Sequence, residues 1–373
     1  MALRLRQRFP SSLIVTAFLL AVPAAAQVTF GVHVTNVRGD VQDVTVGDAN
    51  DDGFGDVVIA TQDVAWDRYV FVLAGGPAGN LRTIWSDGLY IEDYADTTVD
   101  FAPVVGPDTG PLDLVLHNTY PTVRFGAGDG SFEHGHGVIP ESGSIFDGAV
   151  GEFNGDGETD TAVLLEDWGG FICFAMGTGD GHFMITWLTA DNWSLNADLE
   201  YARLDDNIQA DPVVADDFGV RVVLLPALTN NKKTLTTMPA ADLAVVDLDG
   251  DGHVDPAYTV PGGGSLGVSP GYGDGTFSPP LLSPAGTSPD DLAVADLDGD
   301  GVLDVAITDP ASSAVRLLLG QGNGTFSTAH PVALADAQGQ IVATDVNADG
   351  LIDLVLAHAT AQKVTTLINL GGG

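Results

Sequence analysis

Hydrophobic residues along this chain come in short runs, each broken by a cluster of Asp, Asn and Gly. The stretch from Asp291 shows the pattern. Leu292-Ala-Val-Ala295 leads into an acidic loop, and Asp304-Val-Ala-Ile-Thr308 follows it. Ala314-Val-Arg-Leu-Leu-Leu319 is a third run. The turn Gly320-Gln-Gly-Asn-Gly-Thr-Phe326 opens a fourth, Ser327 to Leu334. Short β-rich runs bounded by Asp-Gly or Asn-Gly predict strands joined as hairpins. No helical period of useful length appears. Four strands are the content of one propeller blade.

The unit repeats. The acidic loop Asp296-Leu-Asp298-Gly-Asp300-Gly301-Val-Leu-Asp304 has counterparts that start at 48, 152, 247 and 345. The last three starts are 49 residues apart, and the earlier gaps of 104 and 95 each hold about two repeats. A register mark sits five residues ahead of each start: Asp43, Asp147, Asp242 and Asp291, with Gln340 in the last unit. Asp100 fits that slot with a degenerate loop from Val105 to Asp113, and Asp198 with one from Arg203 to Asp211. Loop starts near 48, 105, 152, 203, 247, 296 and 345 give seven units of about 50 residues, a blade period. The prediction is an all-β, seven-bladed β-propeller with four antiparallel strands per blade.

The two ends complete this picture. The last unit stops at Gly371-Gly-Gly373, where its fourth strand should begin. Val28 to Val34 reads as a fourth strand without a blade of its own. The N-terminal strand is therefore expected to close the seventh blade and remove the open edges. Ahead of it lie Arg4, Arg6 and Arg8, an apolar stretch from Leu13 to Val22, and Ala24-Ala25-Ala26. The apolar stretch is too short to span a bilayer comfortably. The combination predicts a signal peptide over residues 1–26 and a single domain over 27–373. The expected location is extracellular, or periplasmic in a Gram-negative cell. No cysteine directly follows the apolar stretch, which argues against a lipid anchor.

Charge narrows the partners. The formal net charge is −38, which disfavours nucleic acid and anionic membranes and attracts cations. Disorder is excluded by the 45% hydrophobic content and the regular runs. The single cysteine, Cys173, sits in an apolar run, reads as a small buried hydrophobe and cannot form an internal disulfide. Something else must brace an exported chain.

The loops supply it. Calcium takes six to eight oxygens, and each loop offers oxygen side chains at positions 1, 3, 5 and 9 with Gly at position 6 for the sharp turn. An EF-hand would need a Glu at position 12, where this chain has Ile59, Val163, Tyr258, Ile307 and Leu356. The loops resemble the FG-GAP, or VCBS-type, repeats of integrin α-subunit propellers and some fungal lectin propellers. The resemblance covers nearly the whole mature chain. It implies about five calcium sites. Their ligands would be Asp48, Asn50, Asp52 and Asp56; Glu152, Asn154, Asp156 and Asp160; Asp247, Asp249, Asp251 and Asp255; Asp296, Asp298, Asp300 and Asp304; and Asp345, Asn347, Asp349 and Asp353. Val105 and Arg203 at position 1 argue against metal in blades 2 and 4, although Arg203 would set a fixed cation against Asp205 and Asp211.

Alternating strands put the acidic loops and Gly-rich turns on one face. On the other face, blades 5 to 7 carry plain turns such as Pro261-Gly-Gly-Gly264, while blades 1 to 4 carry Trp66, Tyr69, Tyr120, Trp168 and Trp193 among polar groups. Rings flanked by polar groups suit a glycan or protein surface, and packing between blades is the competing role for each ring. The expected function is a calcium-braced, ligand-binding module, monomeric and not inserted in a membrane. No catalytic constellation marks the chain. The alternatives are a polysaccharide-acting enzyme such as a lyase, for which His117 and Tyr120 would be the acid–base candidates, and a structural adhesion component. Arg38-Gly39-Asp40 spells an adhesion tripeptide but reads as an inter-blade turn, and His134-Gly-His136 lacks a third metal partner.

Overall fold

The computed structural model describes residues 4–5, 28–63, 65, 67–89, 97–104, 111–117, 121–138, 145–165, 171–187, 193–194, 197–207, 209–225, 232–327, 330–334 and 336–371. The segment read as a signal peptide lies outside these residues, apart from Arg4–Leu5, whose backbone pairs in parallel with Asp43–Val44.

Seven four-stranded antiparallel sheets form the blades of a propeller. Blade 1 consists of Asp40–Gly47, Asp56–Gln62, Arg68–Ala74 and Arg82–Leu89. Blade 6 consists of Leu292–Ala295, Asp304–Asp309, Ala314–Leu318 and His330–Ala333. Blade 7 has Gly339–Thr344, Asp353–His358 and Lys363–Asn369 from the C-terminal end, and Phe30–Asn36 from the N-terminal end. The closing strand pairs along its whole length, from Phe30 opposite Asn369 to Asn36 opposite Lys363. The expected closure is present.

The pattern of burial explains the continuous apolar runs. Each blade is covered on both faces by its neighbours, so Asp56–Ala60 and Asp304–Asp309 are buried at every position rather than at alternate ones. Seven hydrophobic clusters fill the seven interfaces. The cluster of Val58, Val70 and Val72 with Phe101, Leu114 and Phe132 joins blades 1 and 2. That of Val41, Val57 and Leu73 with Val342 and Val355 joins blades 7 and 1, which completes the ring. Cys173 is fully buried among such residues, as its sequence context suggested. The outermost strands face solvent, and Val32 and Val34 of the closing strand are exposed.

Blade 2 departs from the register read in the sequence. The residue that pairs with the last loop aspartate always precedes loop position 1: Gly47 faces Asp56 and Ala295 faces Asp304. In blade 2 Ala102 faces Asp113. Its loop therefore starts at 103, not 105, and is two residues longer than the others. Thr98, not Asp100, occupies the slot five residues ahead. The sequence misled because the insertion kept an aspartate in the same nominal place.

Candidate metal loops and the opposite face

The aspartate at loop position 9 opens the second strand of each blade and is buried. Its carboxylate accepts two backbone N–H groups in all seven blades. In blade 6, Asp304 accepts Leu297 N at 2.9 Å and Gly320 N at 2.8 Å. In blade 1, Asp56 accepts Ala49 N and Gly75 N, both at 3.0 Å. Asp160, Asp255 and Asp353 repeat the arrangement. So do Asp113 and Asp211, in the two blades whose loops lack an acid at position 1. Position 9 is thus a latch that ties the loop to the end of the third strand, whether or not the loop suits a metal.

The rest of each loop is a cascade of side-chain to backbone bonds. In blade 6, Asp296 accepts from Gly299, Asp300 and Gly301, Asp298 from Asp300, and Asp300 from Val302. Asp48, Glu152, Asp247 and Asp345 hold the position-6 glycine N–H in the same way. Position 6 adopts a left-handed conformation, with φ of 86° at Gly301. Position 4 does too, which the sequence reading missed. Gly155, Gly250 and Gly299 accept this conformation freely, but Asp51 and Ala348 adopt it at φ 56°. A left-handed alanine costs about 1–2 kcal/mol, partly offset by the greater unfolded freedom of glycine. Ala348→Gly is therefore expected to stabilise by about 0.5 kcal/mol and Gly299→Ala to destabilise by about 1 kcal/mol, read as opposite shifts in melting midpoint.

In blades 5 and 6 the carboxylate oxygens converge. One oxygen each from Asp247, Asp249 and Asp255 lies within 4.8 Å of the others, and so it is with Asp296, Asp298 and Asp304. These two acidic clusters can hold a metal ion. The residues fit a hard cation, because burial and like charge both act against an unneutralised cluster. Asp304 is pushed up to about 7, chiefly by burial, with the charge of Asp298 adding to it. Asp255 is pushed up to about 6 for the same reasons, with Asp249 and Asp247 as the charged neighbours. Asp56, Asp160 and Asp353 also rise to about 6. In blades 1, 3 and 7, position 3 is Asn50, Asn154 or Asn347. Each amide oxygen accepts the position-5 N–H. Blade 4 goes another way. Arg203 is exposed and makes no ion pair with Asp205 or Asp211, so the cation suggested for that loop is not placed there. Asn207 and Gln209 instead donate to the carbonyls of Leu225 and Phe153.

The opposite face is uneven. Blades 5 and 6 cross it with one-turn 3₁₀ segments, Pro261–Gly263 and Pro310–Ser312. In blade 1, Arg38 binds Asp63 at 2.8 Å and lies 4.0 Å from the centre of the Tyr69 ring. The arginine of the Arg-Gly-Asp tripeptide is therefore engaged locally. In blade 4, Trp193 is 8% exposed and stacked under Arg221 at 4.0 Å, with Lys232 at 5.8 Å. Arg221 also pairs with the buried Asp216. Beside it Phe218, 56% exposed, stands at the tip of a tight turn. The sequence reading passed over Phe218, since a lone Phe between Asp217 and Gly219 carries no pattern. Trp66, Tyr120 and Trp168 lie outside the described residues. His117 is fully buried. Its Nε2 lies 2.8 Å from Thr161 Oγ1 and its Nδ1 3.4 Å from Asp100 Oδ2, so it bridges blades 2 and 3. His134 is exposed, 4.0 Å from Asp87.

Blades of this kind, with an acidic loop latched at one end of each, define a class, the repeat propellers. Residues 247–307 and 296–356 match the FG-GAP-like repeat family. With the seven four-stranded blades, these two matched repeats support an FG-GAP-type repeat propeller. No curated protein sequence matches it significantly. Among solved structures it is similar to an Agrocybe aegerita lectin that recognises non-reducing terminal N-acetylglucosamine. The identity is 16% and the TM-score 0.57, over 84% of this chain and 92% of that one. It is similar to BBS1N, solved in complex with ARL6DN, at 10% identity and TM-score 0.62 over 93% and 98%. It is also similar to a virginiamycin B lyase from Staphylococcus aureus, at 12% identity and TM-score 0.56 over 91% and 99%. At these identities the likeness is one of fold. No helix among the described residues is long and apolar enough to cross a membrane.

Proposed function

We propose that this protein is an exported ligand-binding propeller whose acidic loops take calcium and whose opposite face receives a glycan or protein. The observation that carries the reading is the asymmetry between the two faces. One repeats the same latch in all seven blades and the same acidic loop in five of them. The other is plain in blades 5 and 6 but presents ring–cation pairs in blades 1 and 4, at Tyr69 with Arg38 and at Phe218 and Trp193 with Arg221. Repetition suits a structural brace, and local irregularity suits recognition. Calcium is the cation of choice, because the donors are carboxylate and amide oxygens on a flexible turn.

A glycan array and a pull-down from the native environment, both in calcium, test the reading. Phe218→Ala and Tyr69→Ala are expected to weaken capture at least tenfold while the melting midpoint moves little, since both side chains lie outside the core. Binding that survives both substitutions would move the ligand off this face. Binding to sugars alone, or to a protein alone, decides between the two ligand classes.

A further inference from the structure

The slot five residues ahead of each loop, used above only to set the register, has a role of its own. In every blade it lies on the innermost strand or one residue before it, and it is buried: Asp43, Thr98, Asp147, Asp198, Asp242, Asp291 and Gln340. Four of the aspartates use Oδ2 to accept the N–H of the residue after the slot in the next blade. Asp43 accepts Val99 N at 2.7 Å, Asp147 accepts Leu199 N at 2.7 Å, Asp242 accepts Leu292 N at 2.7 Å, and Asp291 accepts Ile341 N at 2.5 Å. The slot thus carries blade-to-blade bonds round the inner circumference.

At the joint of blades 5 and 6 two of these acids meet. Asp242 and Asp291 are 2% and 3% exposed, and their carboxyl groups are hydrogen-bonded to one another. The Oδ1 of each accepts from no N–H or hydroxyl. An ionised carboxylate is an acceptor only, so a bond between two carboxyl groups requires a proton on one of them. The surroundings favour keeping that proton. The charged groups that act on Asp291 are Asp290 and Asp198, both acids. The backbone N–H groups of Asp242 and Asp291 donate to the neutral hydroxyls of Thr259 and Thr308. The slot of the next blade holds Gln340, also neutral. Among the described residues no Lys, Arg or His forms an ion pair with either acid. Burial pushes both carboxyls well above the usual carboxylate range, and the charge of Asp291 adds to the rise at Asp242.

We propose that Asp242 and Asp291 share one proton at neutral pH and so form a proton-dependent clasp on the inner side of the blade 5–6 joint, which weakens when alkaline pH removes that proton. The clasp acts in series. Asp242 holds Leu292 of blade 6 and is bonded to Asp291, which in turn holds Ile341 of blade 7. Full ionisation would set two like charges in contact in a buried site, where water cannot screen them. The folded state keeps a proton that the unfolded chain has already released. The contribution of the pair is therefore lost as pH rises through its folded value. The loop carboxyls do not mimic this loss when calcium is bound, because the metal holds them ionised throughout.

The test is the thermal midpoint of the full mature chain in saturating calcium, followed from pH 7 to pH 10. The wild type is expected to fall by about 5 °C over this range. Asp242→Asn puts an amide N–H where the shared proton was, and alkali does not remove it. This variant is expected to keep its midpoint at pH 7 and to lose less than about half as much at pH 10. Infrared spectra of the wild type read the proton directly and need no variant to fold. A protonated-carboxyl stretch is expected at pH 7 and is expected to fade with the midpoint; in Asp242→Asn it is weaker from the start. An alkaline fall of the same size in Asp242→Asn overturns the proposal. So does a wild-type midpoint or carboxyl band that stays constant from pH 7 to pH 10.

Discussion

Chelation of calcium is expected to lower the thermal midpoint of the mature chain by about 10 °C at neutral pH. At a calcium concentration about ten times the dissociation constant, each loop contributes about 1.4 kcal/mol, so five loops contribute about 7 kcal/mol. With an unfolding entropy near 2 cal/mol/K per residue, that total corresponds to a shift of about 10 °C. Magnesium should not restore it, because the loops lack the rigid octahedron that magnesium demands. A midpoint that ignores both chelator and calcium would rule out the loops as metal sites.

The pH dependence gives the same reading an independent sign. The position-9 carboxyls of blades 1, 3, 5 and 7 sit near 6 and that of blade 6 near 7, all raised chiefly by burial. In the metal-free protein the folded state holds these protons more tightly than the unfolded chain. Their contribution is full below the ordinary carboxylate value and is lost as pH rises through 6 to 7. The metal-free protein should therefore gain stability on acidification from pH 8 to pH 5, by about 1 kcal/mol per loop after screening, read as a higher midpoint. His358, lowered to about 4 by burial, opposes this as a single group. With calcium the trend should reverse, because protons then compete with the metal. Melting curves at several pH values, with and without calcium, read both slopes. Parallel slopes would show that the cation does not bind these carboxylates.

The second large effect separates the latch from the metal. Asp211→Ala in blade 4 strips the partner from the backbone N–H groups of Leu204 and Leu225, both in buried surroundings. Each orphaned group costs about 1–3 kcal/mol, so a loss of about 3 kcal/mol is expected, with the calcium response unchanged. Asp296→Asn in blade 6 should do the opposite. It removes one cation's share of the calcium response and leaves the metal-free midpoint nearly where it was, since less negative charge then crowds that loop. Paired melts in chelator and in calcium measure both. A neutral Asp211→Ala would show that position 9 acts only as a metal ligand.

Much of this was legible in the chain. The period of the acidic loops gave the number of blades, and the unmatched strand at Val28 to Val34 gave the closure at Phe30–Asn36. Both follow from local chemistry, because Asp-Gly turns and β-rich runs act within a few residues. The oxygen donors of Asp247, Asp249 and Asp255 were readable for the same reason.

What the tertiary structure decided depends on neighbours distant in sequence. It showed that position 9 is a latch in all seven blades, since the Gly75 and Leu225 N–H groups come from the far end of the hairpin. It moved the blade 2 slot from Asp100 to Thr98, because only pairing of Ala102 with Asp113 fixes the register. It placed Trp193 under Arg221 and left Phe218 exposed. It also brought Asp242, Asp291 and Gln340, each 49 residues from the next, onto one inner ring. A repeat in sequence fixes what each blade contains. Only closure of the ring determines which side chains of different blades meet, because those contacts arise between copies and not within one.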